Sequence, residues 1–468
     1  MPFDCEKDFY FGRTEYCNVG FSFGFNGRLL ELAPLPGEED RAKKLDPSFI
    51  AEGVFAFTGE GARIQEDCFE LVPSNAPGRV VVFPDSEAFR PVTPAPFTFN
   101  VGARAFFLIE DGSPVVGLRF HSPHLSKCYI DRLPLSMRVG SDGSEVIATR
   151  ESVPLRCSFD KHTTVEAIFW HNVVMSCGMG KPPVAVESVL DFRFDAEMDF
   201  SRIFDIAMVA RDFLAFCLQA SGAEFDDIEL LTEKCAPDSK QQGEGAAGFI
   251  RPHGRLKLCR QESLPFKARY HIPIGLLEGF EDRLFRKLAD EELSLRHLPT
   301  PENVSIWDEE RILFTAGALD QEVDLLYPEG IEHKERTLAV RDAIIGVLKE
   351  VAENGKSAQI RREAKRLIGI EKGDSFSARI SYVFEKHAGL FRSLSNPRIS
   401  EETCNEVANR IEKLRNALAH GHLDVRYGDT IVDDALALEQ LILGIQMIRL
   451  GLSDEDAAKL MNEARARR

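Results

Sequence analysis

Two kinds of hydrophobic pattern divide the chain, and each predicts a different type of secondary structure. Over the first 200 residues, apolar side chains alternate with small or polar ones in short runs, which is the period of half-buried β-strands. The predicted strands are 19–25, 53–58, 80–83, 103–109, 115–121 and 165–174, with Gly, Pro, Asp and Asn between them. From Asp199 to about Ala220, apolar residues recur every three or four positions, which predicts one amphipathic helix.

The remainder of the chain follows helical spacing almost throughout. A further helix is predicted over 276–295, and Pro299 and Pro301 make residues 299–304 a linker. Short connections that carry Gly, Pro or Asn then separate the last predicted helices, as in an up-and-down bundle. These helices are 306–327, 331–354, 357–369, 374–391, 400–420, 432–450 and 453–467.

The two patterns together predict an α+β multidomain protein. Residues 1–300 form a β-rich half, an antiparallel sandwich or barrel with an added helix, either as one domain or as two that divide near 135–200. Residues 305–468 form an all-α bundle. A chain of 468 residues is too long for one hydrophobic core, which agrees with this division.

Net charge excludes two classes of function. The formal charge is −18, and residues 305–468 carry −5 of it, from 24 Lys and Arg against 29 Asp and Glu. The first 304 residues therefore carry −13. A general nucleic-acid coat or an anionic-membrane binder needs a broad basic surface. We therefore expect neither a membrane nor DNA as a partner, although a small local site for RNA remains compatible with this charge.

Cysteine usage and the N-terminus indicate where the protein functions. The ten cysteines are scattered, no Cys-x-x-Cys occurs, and their spacing suggests neither a disulfide framework nor a zinc site. The first residues have no basic segment that leads into an apolar one, and no apolar run of 18 residues occurs. We expect a cytoplasmic protein with free thiols, no cofactor and no catalytic metal.

The predicted helix at 400–420 carries the strongest candidate chemistry. Ser400 suits its N-cap, and Gly421 suits a left-handed C-terminal cap. One stripe of this helix is apolar and faces the core: Cys404, Val407, Ala408, Ile411, Leu414 and Leu418. A second stripe is polar, with steps of four, three and four: Asn409, Lys413, Asn416 and His420.

Arg415 and His420 combine the two functional groups that RNA cleavage without a metal requires. Histidine transfers protons near neutral pH, and arginine offers a permanent charge for phosphate oxygens. Asn416 lies between them and is suited to orient the phosphate or the ribose. Because they are five positions apart, Arg415 and His420 project roughly 140° from each other. They line one site only in a cleft, most simply against the same helix of a second copy.

The wider sequence adds a family resemblance to this spacing. The string Leu414-Arg-Asn-Ala-Leu-Ala-His-Gly421, near the end of a helical bundle, resembles the Arg-Asn-x-x-x-His motif of the HEPN ribonucleases. The β-rich half, with the segments Gly59–Leu71 and His124–Cys128, makes the whole chain similar to the ApeA-type abortive-infection proteins of bacteria.

This resemblance implies a metal-independent endoribonuclease that acts in anti-phage defence. The implied partners are an RNA substrate, with tRNA as one candidate, a second copy of the chain, and a phage-derived trigger sensed by the β-rich half. Arg415, His420 and Asn416 are the implied catalytic residues. Asp320 or Glu322, on an earlier helix, is the implied acidic supporting residue, and Lys413 and His422 are further supporting candidates.

Other functions fit the same residues. Arg415 pairing with Glu412 or Glu439, with His420 as a helix-end cap, would make the motif purely structural. The bundle would then be a non-catalytic dimerisation scaffold whose β-rich half binds a protein partner. A third alternative is a toxin that a partner protein neutralises.

Overall fold

The computed structural model is a mixed α/β protein with a β-sheet region in the first half and a helical C-terminal part. It describes residues 10–16, 19–25, 29–44, 57–58, 62–65, 68–71, 79–84, 90–92, 98–109, 114–128, 136–139, 145–148, 155–159, 163–175, 184–221, 223, 225–233, 250–258, 271–299, 309–332, 335–372, 374–420 and 430–466. Two compact units result: residues 1–214 with 223–265, and residues 215–222 with 266–468. The predicted boundary lay instead near residues 300–305.

Over the described residues, the first unit contains a 15-stranded antiparallel sheet, a separate two-stranded antiparallel sheet and a few helices. Its strands are β1 Tyr10–Tyr16, β2 Val19–Phe25, β3 Leu29–Pro34, β4 Phe57–Thr58, β5 Ala62–Gln65, β6 Cys68–Leu71, β7 Arg79–Pro84, β8 Arg90–Val92, β9 Thr98–Ile109, β10 Val115–His121, β11 Ser136–Val139, β12 Glu145–Ala148, β13 Leu155–Ser158, β14 Thr164–Met175, β15 Val184–Phe194, β16 Asp227–Glu233 and β17 Ile250–Leu258. Its helices are α1 Glu39–Ala42, α2 Pro123–Cys128 and α3 Phe200–Leu218, the last of which ends in the second unit.

Strand β9 organises the sheet because it pairs with different strands along its length. Residues 98–102 pair with β3 and β8, and residues 103–109 pair with β7 and β17. The main strand order is β13-β14-β15-β10-β16-β17-β9-β3-β2-β1-β4, with β5 and β6 joined through β7. The antiparallel prediction is confirmed for these pairs, and β2 and β10 have the predicted bounds. Only Phe57 and Thr58 of the strand predicted at 53–58 are described.

Phenylalanines join helix α3 to one face of this sheet. Phe83 stacks on Phe204 with ring centroids 4.7 Å apart, and Phe107 meets Phe200 at 5.3 Å. Phe213, further along α3, lies 6.0 Å from Phe169 of β14. Such aromatic pairs stabilise a core by about 0.5–1.5 kcal/mol each beyond the burial of their surface. The high phenylalanine content of the chain is thus used to attach a helix to a sheet.

The opposite face of the sheet carries a charged cluster. Arg119 of β10 donates two hydrogen bonds to Asp191 of β15, at 2.8 and 2.9 Å, and lies over the Trp170 ring at 4.9 Å. His121 lies between two carboxylates, 3.0 Å from Glu187 and 3.4 Å from Glu229. The side chain of Glu187 is 45% exposed and that of Glu229 only 22%, so water screens Glu187 more strongly.

This cluster makes the stability of the β-rich unit depend on pH. Hydrogen bonding to Glu229 raises the pKa of His121 above its usual range, with Glu187 adding to the effect and burial opposing it. A raised folded-state pKa stabilises the fold fully below the unfolded value of about 6.5, and this contribution is lost as pH rises through the folded value. We therefore expect the His121 contribution to the free energy of unfolding, measured with urea, to be larger at about pH 6 than at about pH 8.5.

Two histidine variants test this expectation in opposite directions. His121→Gln removes the stabilisation that His121 provides at low pH, so the free energy of unfolding should fall less between the lower and the higher pH than it does in the unaltered protein. Burial lowers the pKa of His124, so His124 stabilises the fold more as pH rises. His124→Gln should therefore make the free energy of unfolding fall more between the two pH values. An unchanged pH dependence in His121→Gln would contradict this assignment.

The second unit is helical. Besides residues 215–218 of α3, it contains a 3₁₀ helix at Ile274–Leu277 and the helices α4 Glu281–Ala289, α5 Glu309–Leu326, α6 Glu335–Asn354, α7 Ala358–Lys372, α8 Phe376–Lys386, α9 Ala388–Arg392, α10 Cys404–Ala419, α11 Ile431–Arg449 and α12 Asp454–Ala466. No helix in the described ranges is long and apolar enough to cross a membrane.

Four of the predicted helices differ clearly from those observed, and the one predicted over 331–354 begins only at Glu335. The one predicted over 276–295 is a 3₁₀ turn followed by α4, because Gly279 adopts φ 85° between them. The helix predicted over 374–391 is divided at His387, which is held by Tyr327 Oη and Asp454 Oδ1, each at 2.9 Å. The helix predicted over 400–420 begins only at Cys404.

Candidate active site

Helix α10 has the two-sided character that its sequence predicts. The predicted core-facing residues, Cys404, Val407, Ala408, Ile411, Leu414 and Leu418, are all buried. Leu414 and Leu418 pack with Ile312 of α5, and Ile431 of α11 joins the same cluster. Burying a leucine of this kind contributes roughly 1.5–3 kcal/mol to stability. The packing fixes the rotation of α10 and therefore the direction of its polar residues.

The Arg415 side chain projects away from this core, on the side of α10 that faces α5 and α8. Its Nη2 atom lies 2.6 Å from Oδ2 of Asp320, and its guanidinium lies 5.0 Å from the centre of the Phe376 ring. The Arg415 side chain remains 35% exposed. An ion pair on one side and an aromatic ring on the other restrict the guanidinium while leaving part of it open to a ligand.

Of the two acidic residues predicted as candidates, Asp320 is the one that lies beside Arg415. Burial raises the pKa of Asp320 above its usual range, although Arg415 and Arg379 act to lower it. Loss of hydration therefore outweighs the attraction of two guanidinium groups at this carboxyl. The ion pair with Asp320 fixes the direction of the Arg415 guanidinium.

The other predicted catalytic residues lie on the exposed side of the same helix end. His420 is the C-cap residue of α10, and its backbone N–H donates to the Asn416 carbonyl at 3.1 Å. The side chains of Lys413, Asn416 and His420 are all exposed. Within one copy, Arg415 thus faces α5 and α8, while Asn416 and His420 face outward. His422 lies outside the described residues.

Glu322, the alternative to Asp320, lies in a separate buried network. It is 0% exposed and accepts hydrogen bonds from the Ser294 backbone N–H at 2.8 Å and from Gln446 Nε2 at 3.0 Å. Arg449, whose side chain is 4% exposed, also donates to it. Glu322 therefore neutralises a buried arginine and does not contact the Arg415 site.

The acidic residues proposed as structural partners of Arg415 have other contacts. Glu412 accepts a hydrogen bond from the Ser377 backbone N–H at 3.1 Å, and Glu439 pairs with Arg311 at 3.0 Å. Arg415 therefore pairs with neither Glu412 nor Glu439, as the structural alternative predicted, but with Asp320. The prediction that His420 caps the helix end is confirmed for its backbone.

One charged residue of this site, Arg379, belongs to no motif that the sequence shows. Arg379 of α8 lies 3.5 Å from Asp320 and 2.7 Å from Asp324. The available signal was its spacing of three from Phe376 on a predicted helix, which places both residues on one face. No local pattern connects that face with Arg415.

Comparison with known proteins adds no identification: no family model, curated protein or solved structure matches the chain.

Proposed function

We propose that the chain is a metal-independent endoribonuclease that acts in bacterial defence against phage. The observation that carries this proposal is the arrangement at the end of α10. Arg415 is held by Asp320 and Phe376, and the exposed Asn416 and His420 follow within the next turn and a half. The resemblance of residues 414–421 to the HEPN motif supplies the reaction class.

The proposed reaction is transfer of the RNA phosphodiester to its own 2′-oxygen. The 2′-oxygen loses its proton and bonds to phosphorus, the bond from phosphorus to the 5′-oxygen breaks, and that oxygen takes up a proton. His420 is suited to one or both proton transfers. Arg415 neutralises the extra negative charge on the phosphorane oxygens. The products are a 2′,3′-cyclic phosphate and a free 5′-hydroxyl.

A second copy of the chain is part of the proposal. Arg415 and His420 project in different directions from α10, so one copy does not bring both to the same phosphate. Lys413, Asn416 and His420 are exposed together on one stripe, which is the surface that a second α10 would approach. A homodimer would then combine Arg415 of one copy with His420 of the other.

The β-rich unit is proposed to sense the phage-derived trigger and to restrain cleavage until it is present. This role rests on the resemblance to ApeA-type proteins and on the acidic charge of the first 304 residues.

A phage-protection assay in bacteria tests the proposal against the scaffold alternative. We expect His420→Ala and Arg415→Ala to abolish protection at unchanged protein levels. The matched control is Arg392→Ala, which removes one arginine whose side chain is 60% exposed and paired with the exposed Glu401. Leu414→Asp should abolish protection under either reading, because it places a charge in the α10 core. Full protection by both catalytic variants, with loss in Leu414→Asp, would favour a scaffold.

A further inference from the structure

A second guanidinium group lies beside the proposed catalytic one. Arg379 of α8 has a side chain that is 22% exposed, and it contacts two carboxylates of α5. Its Nη1 atom lies 2.7 Å from Oδ1 of Asp324 and 3.5 Å from Oδ1 of Asp320. Phe376, three residues earlier on α8, supports Arg415 from the same face.

One carboxylate joins the two arginines. Oδ2 of Asp320 lies 2.6 Å from Arg415, and Oδ1 of the same residue faces Arg379. Each oxygen of one planar anion is thus directed at a different guanidinium group. A phosphodiester has two non-bridging oxygens and a single negative charge, so it offers the same pair of acceptors to the same two cations.

The contacts that hold Arg379 are weak enough to exchange. The side chain of Asp324 is 63% exposed, and water screens an ion pair at such a position, so the pair holds Arg379 only weakly. The contact with Asp320 is long at 3.5 Å. Arg379 therefore loses little when it turns from Asp324 towards an incoming anion. Arg415 is held more firmly, by a short ion pair and an aromatic ring.

We propose that Arg379 is a substrate-binding residue that contacts a phosphate of the RNA beside Arg415. The inference rests on the proposed ribonuclease function and extends it by naming a third helix, α8, as part of the RNA site. Asp324 then acts as the resting partner of Arg379 and competes with the RNA for it. Arg379 holds the RNA in the ground state as well as in the transition state, so its loss affects KM and Kd more than kcat.

The test measures binding of an RNA oligonucleotide whose riboses are all 2′-O-methylated, so that it is not cleaved. Fluorescence anisotropy with the full-length protein gives Kd over a series of salt concentrations. We expect Arg379→Ala to raise Kd about tenfold and to reduce the slope of log Kd against log salt by about one. Arg379→Lys should recover part of the affinity, because lysine keeps the charge but not the planar fork. Arg392→Ala is the matched control and should bind as the unaltered protein does.

Asp324→Asn tests the inference in the opposite direction, because it removes the ion pair that competes with the RNA for Arg379. Because Asp324 is largely exposed, the variant should fold normally, and release of Arg379 should lower Kd. Weaker binding in Arg379→Ala together with tighter binding in Asp324→Asn would support the inference. Unchanged Kd in both variants, or no binding of the oligonucleotide by the unaltered protein, would overturn it. Cleavage lost in Arg415→Ala but unchanged in Arg379→Ala, with equal KM, would overturn this inference while leaving the proposed function intact.

Discussion

Replacement of His420 by alanine is expected to lower the rate of RNA cleavage at least about 100-fold, because a positioned proton-transfer group contributes roughly 10²–10⁴ to a rate. His420 is exposed at the end of α10, so its loss removes no core contact and the melting temperature should stay nearly constant. The fall should appear in kcat, since the imidazole acts on the reacting oxygens. The measurement is the initial rate on a labelled RNA at saturating concentration.

Arg415→Ala should have a comparable effect for a different reason. It removes the charge that stabilises the phosphorane, a loss of about 10²–10³ in rate for a comparable electrostatic contact. Among the described residues, it also leaves Asp320 with the longer contact to Arg379 alone, so unfolding must be measured beside activity. Arg392→Ala should leave both properties unchanged. If both site variants are folded and cleave RNA within about twofold of the rate of the unaltered protein, α10 takes no part in the reaction.

The largest expected loss of stability lies away from this site, at Glu322. Among the described residues, Glu322→Ala leaves the buried guanidinium of Arg449 with its contacts to Glu292, the carbonyl at 2.7 Å and the carboxylate at 3.5 Å. Removing one partner of a buried ion pair costs about 3–5 kcal/mol, against a total stability of about 5–15 kcal/mol for a typical domain. The backbone N–H of Ser294 and the amide of Gln446 lose an acceptor as well.

Urea unfolding followed by circular dichroism measures this loss. Glu332→Ala is the matched control, because Glu332 pairs with Lys386 at an exposed position, where its side chain is 79% exposed. The control should change the free energy of unfolding by less than about 1 kcal/mol. Equal unfolding midpoints for the two variants would mean that the Glu322 network contributes little.

The pattern of apolar residues was sufficient to predict the strands and helices that bury one face. Strand β10 alternates over Val115–His121, and α10 repeats its apolar residues at helical spacing, so each was recognisable without knowledge of its neighbours. The break at His387 was not recognisable in the sequence, because the residues that hold this histidine, Tyr327 and Asp454, lie 60 and 67 positions away along the chain. Local propensity contains no information about such partners.

The same distinction applies to the candidate site. Arg415 and His420 are visible in one short motif, whereas their acidic neighbour lies on another helix. Asp320 and Glu322 are two positions apart and therefore point to different sides of α5, so only one of them can face Arg415. Which one does depends on how α5 is rotated against α10, and the packing of Ile312 with Leu414 and Leu418 determines that rotation. Arg379 was missed because its own contact with the site is to Asp320, which lies on another helix.

One measurement tests the ribonuclease assignment most directly. The purified full-length protein is incubated with cellular RNA and tRNA in EDTA, beside His420→Ala and Arg415→Ala, and the fragment ends are identified. Residues 266–468, which with 215–222 form the helical unit, are assayed in parallel after folding has been checked. We expect the unaltered protein to produce fragments with 2′,3′-cyclic phosphate and 5′-hydroxyl ends, and both variants to produce none. No cleavage by either form of the unaltered protein, with the shorter chain folded and dimeric, would contradict it.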